Sequence, residues 1–443
     1  MKLDFRHKNL DVRSPDISND SPAPLNLRGD VAAATGGIPP AGDLSSNICN
    51  LKSICVFVWN TFTNDARVLK ECTALAEHGY DVSLICLLDR DNPDCPERET
   101  VNGFRVERVK NGLPFVSPAL RMLYNLGGMF RMIIRGRKLN AAVYHANDLN
   151  TLVQAYACAG VFRWGNRRRL VYDSHEVQTS RTGYGRGAYF LERFFIRRTD
   201  ANFSENLTRS AYTANLYNID PPIPLYNYHL PYSHTRTYNE KVDLHGLLEL
   251  DRDVPILLYQ GGIQYGRGLD KLVEAAAFIE KGVVVMIGDG PEKAMLLERV
   301  RALGLCEKVR FLDTVPLRDL PRYTVNAYLG FQLLNNTCFN HYSASSNKLY
   351  EYIFARVPVV ACDFPEISRV IREDGIGMVV DSHSPREIAG AVNALVGRKA
   401  LRDQMAANCA AARSKYSWES EKHKLLDTYD RLLLRDASLQ PIT

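Results

Sequence analysis

From Ser53 onward the chain alternates short apolar runs with longer amphipathic stretches. SICVFVW predicts a strand, and DARVLKECTALAEHG predicts a helix with Gly79 where a C-cap glycine belongs. DVSLICLL, AAVYHAN and RRLVYDSHE predict further strands, with a helix starting from about Asp148. Near Tyr226 this unit closes, and the polar segment from about Asn227 to Asp253, which carries Pro, Tyr and His, reads as a linker. A second unit then begins with PILLYQGG and continues through GVVVMIGDGP, KVRFLDTVP, AYLGFQLL, VPVVACD and GMVV, each run followed by a helical stretch. Apolar strands alternating with helices predict parallel sheets covered on both faces, an α/β fold. SWESEKHKLLDTYDRLLL has helical periodicity and is expected to pack back across both units. Residues 1–48, rich in Ser, Asp, Asn, Pro, Gly and Ala without either period, predict a disordered tail.

Length fits two domains of comparable size, since 443 residues exceed what one core usually organises. With 46% hydrophobic and 24% charged residues the composition is that of an ordinary globular protein. A net charge of +5, without a basic block interleaved with aromatics, argues against nucleic acid as a partner. The ten cysteines are scattered singly with no C-x-x-C pair, so neither a structural disulfide nor a zinc site is expected, and a reducing compartment fits. The start MKLDFRHKNLD lacks the apolar run of a signal peptide, and no stretch reaches membrane-spanning length, which predicts a cytoplasmic protein. A peripheral contact at the inner membrane face stays open, because Leu120 to Leu139 mixes apolar residues with Arg121, Arg131, Arg135, Arg137 and Lys138. A domain helix with a solvated basic face is the plainer alternative.

In open α/β sheets ligands gather at the carboxyl ends of the strands. After ILLYQ comes Gly261-Gly262-Ile263-Gln264-Tyr265-Gly266-Arg267-Gly268, a turn that lets backbone approach a ligand and delivers one arginine; a tight turn with a surface Arg fits equally. Ser343-Ala344-Ser345-Ser346-Asn347-Lys348-Leu349-Tyr350-Glu351 opens a helix with small hydroxyl residues, whose amides near Ser346 to Lys348 can hold a diphosphate. Glu351, beside apolar Leu349, Ile353 and Phe354, needs a partner, which a ribose diol or an i, i+3 pair with Lys348 would supply.

Taken in order, NTFTNDARVLKECTALAEHGYDVSLI, AAVYHANDL, LVYDSHE, LYQGGIQYGRGLDKLVEA, MIGDGPE and NKLYEYIFARVPVVACDFPEI resemble the GT-B glycosyltransferases of family 4, over about residues 53 to 435. The resemblance implies two Rossmann-like parallel-sheet domains facing an interdomain cleft: an acceptor domain at 49–230, a nucleotide-sugar domain at 231–417, and a crossover helix and tail at 418–443. It places Arg267 on the donor diphosphate, with Gly262 where many members carry a second basic residue. Glu351 matches the second glutamate of an E-x7-E motif, the ribose ligand, whereas Ser343 stands where the first lies near the transferred sugar; His341, Asn340 or Ser345 can substitute. In His145-Ala146-Asn147-Asp148, Asn147 occupies the place of a functional His.

The catalytic set expected on this basis is Arg267, His175 and Lys348. The donor-binding set is Gly261, Gly262, Gly288, Gly290, Val315, Ser343, Ser346, Asn347, Leu349 and Glu351, with turn chemistry as the alternative at Gly288, Gly290 and Val315. Asn60, Asp65, Asn147, Asp148 and Glu176 are expected at acceptor or sugar, although Asp65 and Arg67 can equally serve only to stabilise a helix start. The implied activity is retaining, metal-independent transfer from a nucleotide sugar, UDP or GDP foremost, with no cofactor, to a glycan or lipid-linked acceptor in polysaccharide or glycoconjugate synthesis. A nucleotide-sugar epimerase of the same architecture and a non-catalytic binding relative are the alternatives. A dinucleotide oxidoreductase is disfavoured, since no G-x-G-x-x-G follows the first strand of either unit.

Overall fold

The computed structural model describes residues 52–437 apart from 64, 90–91, 93, 111–117, 161–167, 182–184 and 230–240. The expected tail at 1–48 lies outside the described residues. Two sheets organise the rest. The first, of eight strands, runs β3-β4-β2-β1-β5-β6-β7-β8. Its members are β1 (Ser53–Phe57), β2 (Asp81–Leu87), β3 (Arg98–Val101), β4 (Phe104–Val109), β5 (Val143–Asn147), β6 (Arg169–Ser174), β7 (Ala201–Ser204) and β8 (Ile223–Pro224). Helices α1 (Ala66–Glu77), α2 (Pro118–Leu139), α3 (Leu149–Ala159), α4 (Arg186–Ile196) and α5 (Leu207–Tyr217) intervene.

The strand runs read from the sequence are all present, and the sheet corrects the reading at one edge. β3 pairs antiparallel with β4, a hairpin closed by Asn102 and Gly103, both in the left-handed region. An Asn-Gly pair is the favoured two-residue hairpin turn. The register along β1 explains how a continuous apolar run serves two cores. Ile54, Val56 and Val58 pack with Val68, Cys72 and Leu75 of α1 on one face; Cys55 and Phe57 pack with Met132 of α2 and Leu152 of α3 on the other.

The second sheet is parallel and ordered β11-β10-β9-β12-β13-β14. Its strands are β9 (Ile256–Gln260), β10 (Val283–Ile287), β11 (Val309–Leu312), β12 (Leu329–Gln332), β13 (Val359–Cys362) and β14 (Gly377–Val380). Around them lie α6 (Leu244–Leu247), α7 (Leu269–Ala276), α8 (Lys293–Ala302), α9 (Leu320–Thr324), α10 (Phe339–Tyr342), α11 (Asn347–Ala355), α12 (Pro365–Asp374), α13 (Pro385–Gly397) and α14 (Lys399–Ala412). The last helix, α15 (Trp418–Ala437), returns to the first sheet, where Trp418, Leu425 and Tyr429 join the α1 core.

The segment read as a linker is less loose than its polarity suggests. Tyr226 and Tyr228 are buried and stack at 5.0 Å. Tyr228 meets Tyr350 and Tyr416 edge-on at 4.7 and 5.5 Å, so the start of the connection is part of the second core. The described cysteines are free, with Cys55, Cys72, Cys86, Cys158, Cys362 and Cys409 buried. Among the described residues no helix is long and apolar enough to cross a membrane.

Candidate active site

The carboxyl ends of β9 and β10 carry two glycine loops laid backbone against backbone. Gly261 donates to Ile287 O at 2.9 Å and Ile263 to Asp289 O at 2.9 Å. A β-carbon on Gly288 would meet Gly261 O at 2.1 Å, and one on Gly290 would meet Ile263 O at 2.3 Å. Both also have positive φ, so the glycines are required by this stacking, not by a turn alone. Val315 is half-buried against the second core.

Lys348, on the first turn of α11, lies over this platform, with its Nζ 4.1 Å above the Tyr259 ring and its chain next to Gly261. Burial and the nearby Arg267 charge push the ammonium down to about 7, with Glu351 opposing the shift. Neither Lys348 nor Arg267 has an ion pair among the described residues. Two cations without an ion pair thus lie within electrostatic reach of each other at the start of α11, the end of a helix whose first amides have no intrahelical acceptor. The sequence left open a Glu351–Lys348 pair; instead Glu351 accepts from Gln260 Nε2 and lies 3.6 Å from His229 Nε2. Burial would raise its carboxyl, but His229, Gln260 and Lys348 hold it below the usual range.

Other residues of the expected donor set are placed less directly. Leu349 puts its side chain in the core and its amide on Ser346 O at 3.0 Å, so it contributes packing and not a free donor. Ser346 Oγ donates to Gln332 at 3.0 Å, and Asn347 is exposed, reached by Asn227 Nδ2 at 3.4 Å. Gly262 is exposed and its carbonyl accepts from Tyr259 Oη at 2.8 Å. Ser343 is wholly buried: its hydroxyl donates to Phe339 O at 2.7 Å and accepts from Arg209 Nε at 3.1 Å.

At the rim of the first sheet, His175 is gripped by Asp173 (3.2 Å), Asn147 Oδ1 (3.1 Å) and, more distantly, Asp148 (3.8 Å). Burial lowers its pKa, but Asp148 and Asp173 more than reverse this and lift it to about 9. At neutral pH the ring is therefore an imidazolium, a donor and cation and not a proton acceptor. Asp148 sits at a φ of 61°, a conformation unusual outside glycine, and uses Oδ1 to accept from the His175 amide at 3.0 Å and from Gln178 at 3.2 Å. Asn60 and Asp65 satisfy each other (2.8 Å), and Asp65 caps α1 at Val68, the helix-start alternative of the sequence. Glu176 is half-buried and its carboxylate pairs with Arg181 at 3.3 Å.

Sequence reasoning missed the layer beneath this rim. Arg67 does not merely stabilise a helix start: it is buried, donates to both oxygens of Asp173 (2.7–2.9 Å), reaches Leu225 O at 2.7 Å and pairs with Glu71 at 3.0 Å. Lys70 reaches Asn227 Oδ1 at 2.6 Å and Tyr228 O, so α1 pins the segment joining the two sheets. His145 has Nδ1 2.6 Å from Tyr429 Oη of α15, and burial lowers it to about 4. The i, i+2 spacing of Asp173 and His175 at a strand end was a usable signal; nothing local marked Arg67's partner, 106 residues away.

Residues 244–411 match the family model described as glycosyl transferases group 1, and residues 65–204 match the one described as glycosyl transferase 4-like domain; together they span more than half of the chain. The D-inositol 3-phosphate glycosyltransferase of Nocardioides sp. is 29% identical over 203 residues, 42% of this chain and 43% of that protein. The alpha-D-kanosaminyltransferase of Streptomyces kanamyceticus is 29% identical over 182 residues, 40% and 46% of the two chains. The chain thus spans less than half the length of these curated relatives. Sucrose-phosphate synthase from Thermosynechococcus elongatus has the same fold with a TM-score of 0.72 at 16% identity, over 87% of this chain and 100% of that one. Anabaena HepE in complex with UDP follows with a TM-score of 0.68 at 15% identity, over 86% and 100%.

Proposed function

The chain belongs to the group 1 glycosyl transferases and has the two-sheet GT-B architecture; from that premise we propose that it moves a sugar, with retention, from a nucleotide sugar to a glycan or lipid-linked acceptor. The unpaired Arg267 and Lys348 above the stacked glycine loops carry this reading, because like charges held together favour an anion between them. Glu351 lies one turn further along α11, in reach of a ribose. The solved relative holding UDP supports a uridine donor, with GDP as the second choice.

In this scheme Arg267, Lys348 and the α11 amides stabilise the departing diphosphate, the group on which charge develops as the glycosidic bond breaks. The same cations would do without a metal ion. The leaving phosphate takes the acceptor's proton on the face it vacates, which gives retention. The His175 imidazolium donates a hydrogen bond to sugar or acceptor. Residues 49–230 act as the acceptor domain and 231–417 as the donor domain.

The lipid-linked acceptor has a surface that suits it. Leu126, Phe130 and Ile134 are exposed at i, i+4 and i+8 on α2, a helix with no acidic residue and with Arg131, Arg135, Arg137 and Lys138 nearby. Phe190, Leu191 and Phe194 are likewise exposed, on α4. The deciding experiment is thermal stabilisation by UDP, GDP, ADP and dTDP sugars, then analysis of the product's anomeric configuration. A shift with one nucleotide and a retained anomer is expected; no shift with any of them overturns the reading in favour of a non-catalytic relative.

A further inference from the structure

The two rims meet through one side chain. Arg209, on the first turn of α5, is 6% exposed and spends every nitrogen of its guanidinium on a named acceptor. Nε donates to Ser343 Oγ at 3.1 Å, Nη2 to Asn340 O at 3.0 Å, and Nη1 to His175 O at 2.5 Å as well as to Glu205. The first two acceptors lie in the segment that runs through α10 into α11, the helix bearing Lys348 and Glu351. The third is the backbone carbonyl of His175. Neighbouring contacts follow the same seam: Asn206 Nδ2 donates to Ser343 O at 2.8 Å, and the Val177 amide to Asn340 Oδ1 at 2.9 Å.

We infer that Arg209 is a positioning residue, which fixes the His175 ring relative to Lys348 and Glu351 of α11 without touching substrate itself. The inference rests on the transferase reading above. Its chemical basis is the planar fork: a guanidinium can satisfy three acceptors in fixed directions, whereas an ammonium on a flexible stem keeps the charge and loses the directions. Ser343 is suited to this position because a short hydroxyl accepts from Nε while it donates back to Phe339 O. The residue the resemblance places near the sugar thus serves here as a joint between the halves.

The test compares Arg209→Lys and Arg209→Gln with Thr208→Ala. Thr208 Oγ1 bonds Glu366 Oε1 at 2.7 Å, a contact between the same two halves outside the seam. Hydrogen exchange of the unliganded chain reads the joint directly: both Arg209 variants should speed exchange at 339–346 and 175–178, leaving 261–268 as in the parent, and Thr208→Ala should not reproduce the pattern. Unchanged exchange at 339–346 overturns the inference whether or not the protein is a transferase. With the donor found by the nucleotide panel, kcat should fall about 10- to 100-fold, the scale of a small misplacement of reacting groups. Donor affinity should hold, and lysine should fail to rescue. Equal loss of kcat and donor affinity, or rescue by lysine, would mean that Arg209 contributes binding or charge and not position. If the parent binds no nucleotide, the transferase reading fails while the exchange result still stands or falls alone.

Discussion

The two rims treat charge in opposite ways. On the first sheet Arg67, Asp173, Glu71 and His175 are tied to one another beneath and around the rim, and both Arg67 and His175 have a carboxylate partner. On the second, Lys348 and Arg267 stand close enough for one to depress the other, and neither has an ion pair among the described residues, Glu351 only opposing the shift from a distance. A buried, mutually satisfied network is costly to break and adds little binding by itself. An unpaired pair of cations costs the empty protein something and is repaid when an anion arrives. The comparison separates a platform that holds geometry from a site that holds ligand.

The most forceful way to break the contrast is to unpair the first rim. Arg67→Met removes the two-oxygen partner of the buried Asp173 carboxylate, leaving it His175 alone, and it frees Leu225 O in the connection between the sheets. A loss of about 3–5 kcal/mol in urea denaturation is expected, the scale measured when one member of a buried pair is removed. A loss below 1 kcal/mol would show that the network is not structural.

Next comes the opposite substitution on the second rim. Lys348→Met should weaken nucleotide binding by about 1.5–3 kcal/mol, the worth of charge-assisted hydrogen bonds, while the unliganded fold stays as stable or gains. Arg267→Ala should reduce turnover more than affinity, as expected for a group that acts on charge developing in the transition state. If Lys348→Met destabilised the fold as much as Arg67→Met, the contrast between the rims would be gone.

Much of this was legible from residue order. The central strands of the first sheet and the strands of the second are apolar runs, and the rim residues follow because strand ends are where such runs stop. What escaped was long-range or polar. β3 reads Arg-Glu-Thr-Val, too polar to stand out among buried strands, although the Asn102-Gly103 turn announced it. Arg67 looked like part of a helix start because its partner Asp173 lies in a distant segment. Gln260 and His229 were invisible as partners of Glu351 because neither belongs to the helix that bears it. Arg209 gave no local sign at all.

A smaller effect sharpens the contrast through pH. The His175 pKa of about 9 lies above its ordinary value, so its stabilisation is full below about 6.5 and is lost as pH rises through 9. Lys348, at about 7, lies below its ordinary value. Its charged form costs the fold stability at low pH, and that cost fades as pH rises from 7 toward about 10.4. Between pH 7 and 9 the two slopes oppose. Relative to the parent, Lys348→Met should tilt the urea midpoint downward across this window and His175→Asn should tilt it upward, with Lys70, also held at about 7, unchanged in both. Identical profiles in both variants would contradict the assignment of opposite charge environments.

The smallest effect belongs to the residue that sits on the first rim without joining its network. Glu176 is half-buried and its carboxylate pairs with Arg181 at 3.3 Å, a partly exposed pair whose two long side chains must be held in place to meet. Glu176→Gln should therefore shift stability by no more than about 0.5 kcal/mol. It should leave nucleotide affinity unchanged, since the cations that hold the anion belong to the other rim. A rise in acceptor KM alone, with donor affinity intact, would place Glu176 at the acceptor and divide the first rim into a buried frame and an exposed contact. A stability loss above 1 kcal/mol would instead extend the buried network outward through the His175–Glu176 step, and the platform would reach further toward solvent than its hydrogen bonds indicate.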